Sequence, residues 1–389
     1  MSKEVKAHGL DGRLVAPDWP PLTIAELCPL FEGYGQLGPP LGIRFHSPRP
    51  LSAAAVVGTA RGPVFVKRHA RTVRDRAGLM EEHYLLAHLY AAGAPVARVL
   101  RNDAGESAVE TGRWTYEVHD HARGEDLYAD AISWTPFSCR AHAFEAGRSL
   151  ALLHQAAEGF GAPPRKVQPL VAGFTIFAAK DPVAAMKEYL NARPALCNHA
   201  GVRTAAEQAL ELLAPFHAGL LPLLPHLEPL WTHNDLHGSN LLWEGSGEHA
   251  RATAVIDFGL ADRTNAVHDL AHAIERSMVG WLALVEHPDR PDEAPIYLDH
   301  LEALLAGYES VRALTREEAT ALAPMTALCH AEFALTEADY FLAVLNSEES
   351  AGMAYDGYLV GHARWFSSRQ GGRLLDALRC WTDARRICS

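Results

Sequence analysis

The sequence lacks the features that would assign it at once to a membrane, a secreted or a metalloprotease class. No apolar run approaches the about 18 residues that a bilayer-spanning helix needs, and the N-terminal stretch has no apolar core typical of a signal peptide. The six cysteines lie far apart without a C-x-x-C pair, and H-E-x-x-H is absent. We therefore expect a cytoplasmic protein with no membrane partner, reduced thiols, no disulfide framework and no zinc knuckle.

The chain also lacks an excess of positive charge. Its formal net charge is −12, whereas a nucleic-acid-binding domain typically carries a basic surface, so we expect no nucleic-acid partner. The 21 histidines are expected mostly at the surface or hydrogen-bonded in the core. At 389 residues, the chain is long enough for two lobes with sizeable cores.

Two stretches carry residues suited to phosphoryl transfer. The first is THNDLHGSNLLW at 232–243, and the second is VIDFGLAD at 255–262. Together they place Asp235, Asn240 and Asp257 in the order H-x-D-x-x-x-x-N followed by I-D-F-G. Phosphoryl transfer needs a carboxylate beside the attacking hydroxyl, and an amide and a second carboxylate for the magnesium ions that bridge the phosphates. Either motif alone occurs by chance, and Asp235 alone fits a turn or a helix cap. Here the two motifs occur in the correct order, and each lies beside a strand-like run, at 241–243 or at 254–256. This combination favours a kinase-like site.

The first half of the chain has a pattern of strands around one helix. Runs at 43–46, 53–58 and 64–67 predict strands, with a hairpin at 59–63. The intervening loop SPRPLS contains no glycine, so a phosphate-binding role there would depend on Ser52 and backbone amides. Lys67 ends the third strand, where its charge would reach the α- and β-phosphates, although alone it fits a solvated surface lysine. The helix at 79–92 offers Glu82 rather than Glu81 as the partner that holds this lysine.

Two more strands, at 95–100 and 114–119, lead to a crossover at 120–124. Adenine would bond to backbone groups of this crossover, and we expect those of Asp120 and Ala122.

The predicted fold class is α+β, with a bilobal protein-kinase-like architecture. An N-terminal extension, 1–41, holds one helix near 23–31, where Thr23 and Glu26 fit a capping box, and packs on the first lobe. A nucleotide-binding lobe at 42–119 contains an antiparallel sheet and one helix. The hinge at 120–124 leads to a mainly helical lobe, 125–389, with the catalytic and substrate site. Its helices are predicted at 137–155, 181–191, 205–221, 266–284, 297–311, 316–346, 351–368 and 373–386.

The motif set at 64–67, 82, 152–154, 233–240, 256–259 and 269–271 resembles the aminoglycoside phosphotransferase and choline kinase family. The resemblance covers roughly residues 42–345. It implies a protein-kinase fold that phosphorylates a small molecule rather than a protein. D-L-H-x-x-N separates the chain from protein kinases, which place a lysine two residues after the base; here that position is His237.

This resemblance implies a role for each matching residue. Asp235 would be the catalytic base, and Asn240 and Asp257 the Mg²⁺ ligands. Lys67 would hold the phosphates of ATP with help from Glu82, and Ser52 matches the serine of the phosphate loop. Two further residues, His233 and Asp269, would brace the catalytic loop from inside. His237 would either contact the transferred phosphate or line the pocket.

The sequence departs from the family at two points. His-Asn-Asp replaces the frequent His-Gly-Asp, and we expect Asn234 to change only the packing of the loop. The glycine-free phosphate loop leaves the choice between ATP and GTP open.

Other functions and the acceptor also stay open. A protein kinase is disfavoured because no A-P-E segment follows Asp257, and a non-catalytic nucleotide-binding regulator because all four central residues are intact. Aminoglycoside-, choline-, homoserine- and sugar-like acceptors remain, as does the oligomeric state. The acidic residues Glu332, Glu337 and Asp339 would suit a cationic acceptor or form a solvated helix face. Trp281 is a second lining candidate, but core packing is favoured for it.

Overall fold

The computed structural model describes residues 7–8, 14–286 and 290–388. The strands are β1 (Ala7–His8), β2 (Leu14–Val15), β3 (Gly42–His46), β4 (Ala53–Thr59), β5 (Gly62–Ala70), β6 (Ala108–Thr111), β7 (Trp114–Asp120), β8 (Pro229–Thr232), β9 (Leu241–Glu244), β10 (Arg251–Val255) and β11 (Asp262–Asn265). The helices are α1 (Ile24–Phe31), α2 (Arg76–Ala91), α3 (Arg140–Ala157), α4 (Pro182–Asn191), α5 (Pro194–Asn198), α6 (Ala200–Leu220), α7 (Ala266–Ser277), α8 (Leu282–Glu286), α9 (Leu298–Glu309), α10 (Arg316–Leu328), α11 (His330–Tyr340), α12 (Glu348–Gly352), α13 (Gly361–Phe366) and α14 (Arg369–Cys388).

The first lobe is an antiparallel sheet in the order β3-β4-β5-β7-β6, with α2 beside it. The central strand β5 places Lys67 opposite Ala54 of β4 and opposite Glu117 of β7. Because both neighbouring strands pair with β5, the backbone that carries Lys67 is held on two sides.

The predicted strand at 95–100, which lies within the described residues, is wrong. Val96 forms a single bridge with Val255 of the second lobe, and Val99 forms one with His119. Pro95 has no amide hydrogen to donate to a ladder, and the segment divides its contacts between two lobes. The missed strand β6 has only four residues and pairs with β7.

The N-terminal segment packs on the first lobe, as predicted. Leu27 and Phe31 of α1 join Val57, Val66 and Val118 of the sheet in one buried apolar cluster.

The predicted capping box at the start of α1 is only half formed. The Thr23 hydroxyl accepts the amide of Glu26 at 3.2 Å. The carboxylate of Glu26 instead binds Arg68 and the Tyr116 hydroxyl, so it ties α1 to the sheet.

The second lobe is a helical bundle around α3, α7, α9, α10 and α11. Helices α3 and α9 cross closely at two glycines: a Cβ at Gly147 would lie 2.0 Å from the Leu304 carbonyl oxygen, and one at Gly307 would lie 1.9 Å from that of Phe144. No side chain fits there, so glycine permits the contact. Within the described residues, no helix is long and apolar enough to cross a membrane.

Two predicted helices are shorter than their patterns suggested. Helix α7 ends at Ser277 rather than at 284, and the helix predicted at 316–346 divides at Cys329. Its last turns, Phe341–Leu345, are π-helical, as are Met353–Val360 further along.

Two pairs of antiparallel strands in the second lobe flank the motifs. Strand β8 pairs with β11, and β9 pairs with β10. The 233–240 loop leaves β8 and enters β9, while the IDFG stretch connects β10 to β11. Each loop therefore runs from one strand pair to the other.

Candidate active site

Lys67 and Asp257 meet across the cleft between the lobes. The Lys67 Nζ lies 2.8 Å from Asp257 Oδ1, and these side chains are 12% and 41% exposed. Burial opposes ionisation of Asp257, but the Lys67 ammonium outweighs it and lowers the pKa of Asp257 to about 2. Burial also opposes the charge of Lys67, but Asp257, Glu117 and Glu82 together raise its pKa. Both groups are therefore charged at neutral pH.

The backbone at Asp257 has an unusual conformation, and the loop after it is fixed by side chains. Its φ of +62° lies in the left-handed region, which non-glycine residues rarely adopt. Two arginines fix the loop after it: Arg74 donates to the Gly259 carbonyl at 2.7 Å, and Arg165 donates to it at 3.0 Å. Neither arginine belongs to a sequence motif, and an isolated arginine carries no pattern that would predict its role.

The bracing contacts predicted for Asp269 and His233 are present. Asp269 is fully buried and accepts the amides of His233 and Asn234, each at 2.8 Å, while its Oδ2 lies 3.0 Å from His154 Nε2. The His233 Nδ1 accepts the amide of Asp235 at 3.2 Å, which leaves Nε2 to donate to the Ile256 carbonyl at 3.0 Å. His233 therefore joins the 233–240 loop to Ile256, the residue before Asp257.

Asn234 occupies a position whose backbone favours glycine. Its φ is +62°, and asparagine tolerates this conformation better than most residues. The buried side chain accepts the Thr232 hydroxyl at 2.8 Å and donates to the Ala172 carbonyl at 2.9 Å. The departure from His-Gly-Asp is thus compensated by hydrogen bonds within the loop's surroundings.

Asp235 lies on the floor of the pocket beside Asn240 and a buried arginine. The Asn240 amide nitrogen donates to the Asp235 carbonyl at 2.8 Å and to its Oδ2 at 3.1 Å. Arg276 Nη2 is 2.9 Å from Asp235 Oδ1, and His237 Nε2 is 3.7 Å from Oδ2. Burial would raise the pKa of Asp235, but Arg276 and His237 outweigh it and lower that pKa. The carboxylate is therefore ionised and oriented.

Arg276 is the main pocket residue that the motifs did not reveal. Its guanidinium carbon lies 4.0 Å from the ring centre of Trp134 and 4.8 Å from that of Phe333. Its position seven residues after Asp269 is the available signal, because i and i+7 share one face of a helix. That face of α7 thus supplies both the loop brace and the partner of Asp235.

One pocket brings together five of the eight predicted site residues: Ser52, Lys67, Asp235, Asn240 and Asp257. The same pocket is also lined by Arg49, Trp134, His237, Arg276, Phe333 and Glu337. His237 therefore lines the pocket, and its Nδ1 accepts the Ser239 amide at 3.3 Å. The loop that carries Ser52 is anchored through Arg49, which donates to the carbonyls of Tyr128 and Ala131 at 3.1 and 3.0 Å.

The other three predicted residues lie outside this lining. Glu82 is buried on α2, its Oε2 has no hydrogen-bond partner, and it forms no ion pair with Lys67 within the described chain. Asp120 ends β7; its amide donates to the Arg98 carbonyl at 2.9 Å, and its carboxylate binds the Arg98 side chain. Ala122 is half-buried in the irregular segment that follows.

The three acidic residues predicted as candidates for the acceptor site have different environments. Glu332 accepts the amides of Thr175 and Ile176, which makes it part of the local framework. Asp339 is buried outside the pocket lining, so neither of these two residues belongs to a solvated helix face. Glu337 lines the pocket, and burial raises its pKa to about 8 although Arg276 opposes this. Trp281 packs in the core, stacked on His362 with ring centres 3.5 Å apart.

Comparisons with known proteins agree with this geometry. A sequence model of the phosphotransferase enzyme family matches residues 52–314, which is more than half of the chain. The search of curated protein sequences found no match to this chain.

Three solved structures illustrate the similarity of fold. A microcompartment-associated aminopropanol kinase aligns with a TM-score of 0.58 at 18% identity, covering 90% of this chain and 99% of that one. A choline/ethanolamine kinase family protein from Mesorhizobium loti aligns with a TM-score of 0.52 at 17% identity, covering 92% and 98%. A spectinomycin phosphotransferase in complex with ADP and spectinomycin aligns with a TM-score of 0.51 at 12% identity, covering 89% and 98%. At these identities the structures show a shared kinase-like α+β fold. With the family match, they confirm the predicted resemblance: the chain belongs to the phosphotransferase enzyme family of aminoglycoside phosphotransferases and choline kinases.

Proposed function

We propose that this chain transfers the γ-phosphoryl group of Mg-ATP to a hydroxyl of a small molecule. The observation that carries the proposal is the 2.8 Å contact between Lys67 of the first lobe and Asp257 of the second, in the pocket that also contains Asp235 and Asn240. The family match and the ADP complex of the spectinomycin enzyme support nucleotide use. GTP remains an alternative donor.

The residues present fit a magnesium ion at the inner end of the pocket. The Asp257 carboxylate is 41% exposed there, and Asn240 uses its amide nitrogen on Asp235, which leaves the amide oxygen for a metal. Mg²⁺ prefers such oxygen ligands. When bound, the metal would neutralise charge on the phosphates.

In the proposed reaction, Asp235 orients the acceptor hydroxyl and accepts its proton. The lowered pKa of Asp235 suits this role, because the proton leaves late in a loose transition state. Lys67 binds the α- and β-phosphates once it leaves Asp257. Glu82, whose buried Oε2 lacks a partner in the described structure, would then stabilise the lysine in its new position. Ser52 and the backbone of its loop would contact the phosphates, and backbone groups of Asp120 and Ala122 would contact adenine.

The acceptor end of the pocket contains groups for a polar, charged small molecule. Glu337 would attract an ammonium group, and Trp134 and Phe333 offer flat apolar faces. Amine-bearing alcohols of aminoglycoside, choline or homoserine type, and sugars, are therefore the acceptors to test first.

The test is a transfer assay against a panel of hydroxylated amines, alcohols and sugars, with Mg-ATP as donor. We expect Asp235→Asn to lower kcat by about 10²–10⁴-fold, the range for a general base, with nucleotide affinity retained. Asp257→Asn should instead weaken the thermal shift that Mg-ATP produces.

A matched control is Asp376→Asn, which changes an exposed carboxylate on α14. It should leave both readouts unchanged. Equal turnover in Asp235→Asn and the parent chain would refute the proposed base.

A further inference from the structure

A cluster of three histidines surrounds Glu117 in the first lobe, apart from the motifs of the cleft. His69 Nε2 lies 2.9 Å from Glu117 Oε1, while His83 Nε2 and His119 Nε2 lie 2.9 and 2.7 Å from Oε2. Glu117, His69 and His83 are buried, and the His119 side chain is 13% exposed. His69 and His119 lie on strands β5 and β7, and His83 lies on helix α2. Each of the three imidazoles faces Glu117 with its Nε2 atom.

The polar contacts of His83 leave its Nε2 facing Glu117. Ser107 Oγ lies 2.9 Å from His83 Nδ1 and 3.2 Å from Met80 Sδ. A neutral imidazole has only one N–H. In the tautomer that carries this proton on Nδ1, the Nε2 lone pair of His83 points toward Glu117 Oε2, 2.9 Å away, and is available to a metal ion.

We propose that His83, Glu117 and His119 form a binding site for a zinc-type divalent transition-metal ion. Imidazole nitrogens and a carboxylate oxygen are ligands that Zn²⁺ takes, and three protein ligands leave one position for water. Their ligand atoms all lie within 4.8 Å of one another. Around a tetrahedral Zn²⁺ such atoms lie about 3.3 Å apart, given metal–nitrogen bonds of about 2.0 Å, so the nitrogen–oxygen distances of 2.9 and 2.7 Å to Glu117 would lengthen by roughly half an ångström.

The surroundings supply the supporting contacts that a metal site needs. Ser107 contacts the Nδ1 of His83 and so orients the ring, and His69 contacts the second oxygen of Glu117. Such contacts orient metal ligands and raise their affinity. Among the described residues, this is the one group of three or more His, Cys, Asp or Glu side chains with ligand atoms so close together.

The position of the site gives the ion a structural consequence. It would connect α2, through His83, to β7, through Glu117 and His119. Glu117 lies opposite Lys67 in the sheet, and His83 is the neighbour of Glu82 on α2. The ion would thus fix the helix and the strand on either side of the pocket lysine. This site is separate from the magnesium position at Asp257, and its presence does not depend on the proposed reaction.

The test is zinc retention by untagged protein. The chain is stripped with a chelator, given one equivalent of Zn²⁺, desalted and analysed for metal by mass spectrometry. We expect about one zinc per chain, a raised Tm with Zn²⁺ but not with Mg²⁺, and at least tenfold weaker binding in His119→Ala. His119 is chosen because it is partly exposed near the end of β7. The matched control His226→Ala, at an exposed histidine of the second lobe, should bind zinc as the parent does.

Two results would overturn the proposal. A parent chain that retains no zinc would show that the cluster is a hydrogen-bonded network without a metal ion. Equal retention by His119→Ala and the parent would place the metal on other histidines. If His119→Ala does not fold, X-ray absorption at the zinc edge of the parent chain counts the imidazole ligands of the bound zinc. Two imidazole ligands support the site, and fewer than two refute it.

Discussion

Removal of the Arg276 charge should destabilise the fold unless the Asp235 charge is removed with it. The two side chains are 4% and 14% exposed, and their closest atoms are 2.9 Å apart. Within the described structure, Arg276 Nε and Nη1 have no hydrogen-bond partner, so Asp235 and the flanking aromatic rings provide its compensation. A buried charge that loses its partner costs about 3–5 kcal/mol, whereas removal of both charges is often nearly neutral.

The experiment is a double-mutant cycle with Arg276→Met and Asp235→Asn, both of which approximately conserve volume. We expect each single substitution to lower the free energy of unfolding by about 3–5 kcal/mol, and the double substitution to cost less than either one alone. Urea unfolding followed by circular dichroism measures this without knowledge of the acceptor.

The pH of the measurement determines how much other carboxyls contribute to the coupling energy between Arg276 and Asp235. Burial raises the pKa of Glu275 to about 7 and that of Glu337 to about 8, so both carboxyls are largely protonated at pH 6. Asp235, whose pKa is lowered, is then the main ionised neighbour of Arg276. The coupling should be largest at pH 6 and fall as pH rises, because Glu275 and Glu337 become additional anionic partners. Additive costs, within about 0.5 kcal/mol, would refute the reasoning.

Three further outcomes are expected at other positions. Lys67→Met should lower kcat/KM for transfer with the circular dichroism spectrum unchanged, and an unfolded variant would mean that the lysine is structural. For a quaternary-ammonium acceptor, KM should fall about tenfold from pH 7 to pH 9 as Glu337 ionises around its pKa of about 8, and Glu337→Gln should remove this dependence. Asn234→Ala should be less stable than Asn234→Gly by about 1–2 kcal/mol in urea unfolding, because φ is +62° and only alanine has a Cβ; equal stabilities would contradict a backbone cost.

The sequence was sufficient for the motifs and for most strands, for a physical reason. Asp235 and Asn240 lie in the short segment between β8 and β9, and Asp257 follows β10, which pairs with β9, so their spacing along the chain largely fixes their spacing in space. Lys67 was recognisable because it ends an apolar run on the central strand. The strand predicted at 95–100 is absent because the apolar residues of this segment contact both lobes instead of forming a ladder.

The acceptor end could not be predicted in the same way. Trp134 lies far along the chain from Phe333 and Glu337, and tertiary packing alone brings the three to the pocket. Helix α11 is buried on all sides, so its pattern gave no polar face to interpret. The acidic residues of 316–346 were therefore candidates as a group. Only the structure separates Glu337, which lines the pocket, from Glu332, which binds the amides of Thr175 and Ile176.

Each carboxyl of the pocket has its own charge compensation, and this arrangement suits the proposed transfer. Three carboxyls line it, and each is compensated differently: Asp257 by Lys67, Asp235 by Arg276, and Glu337 by its own proton near neutral pH. Under the proposed function, a metal-bound triphosphate would compensate Asp257 and release Lys67 to the phosphates. Arg276 would remain on Asp235, because no phosphate needs to displace it, and would keep that carboxylate ionised for the acceptor proton. Glu337 would exchange its proton for a cationic group of the acceptor, so acceptor binding should release a proton at pH 7 and almost none at pH 9. Calorimetry in buffers of different ionisation enthalpy would detect that release, and its absence at pH 7 would remove Glu337 from acceptor recognition.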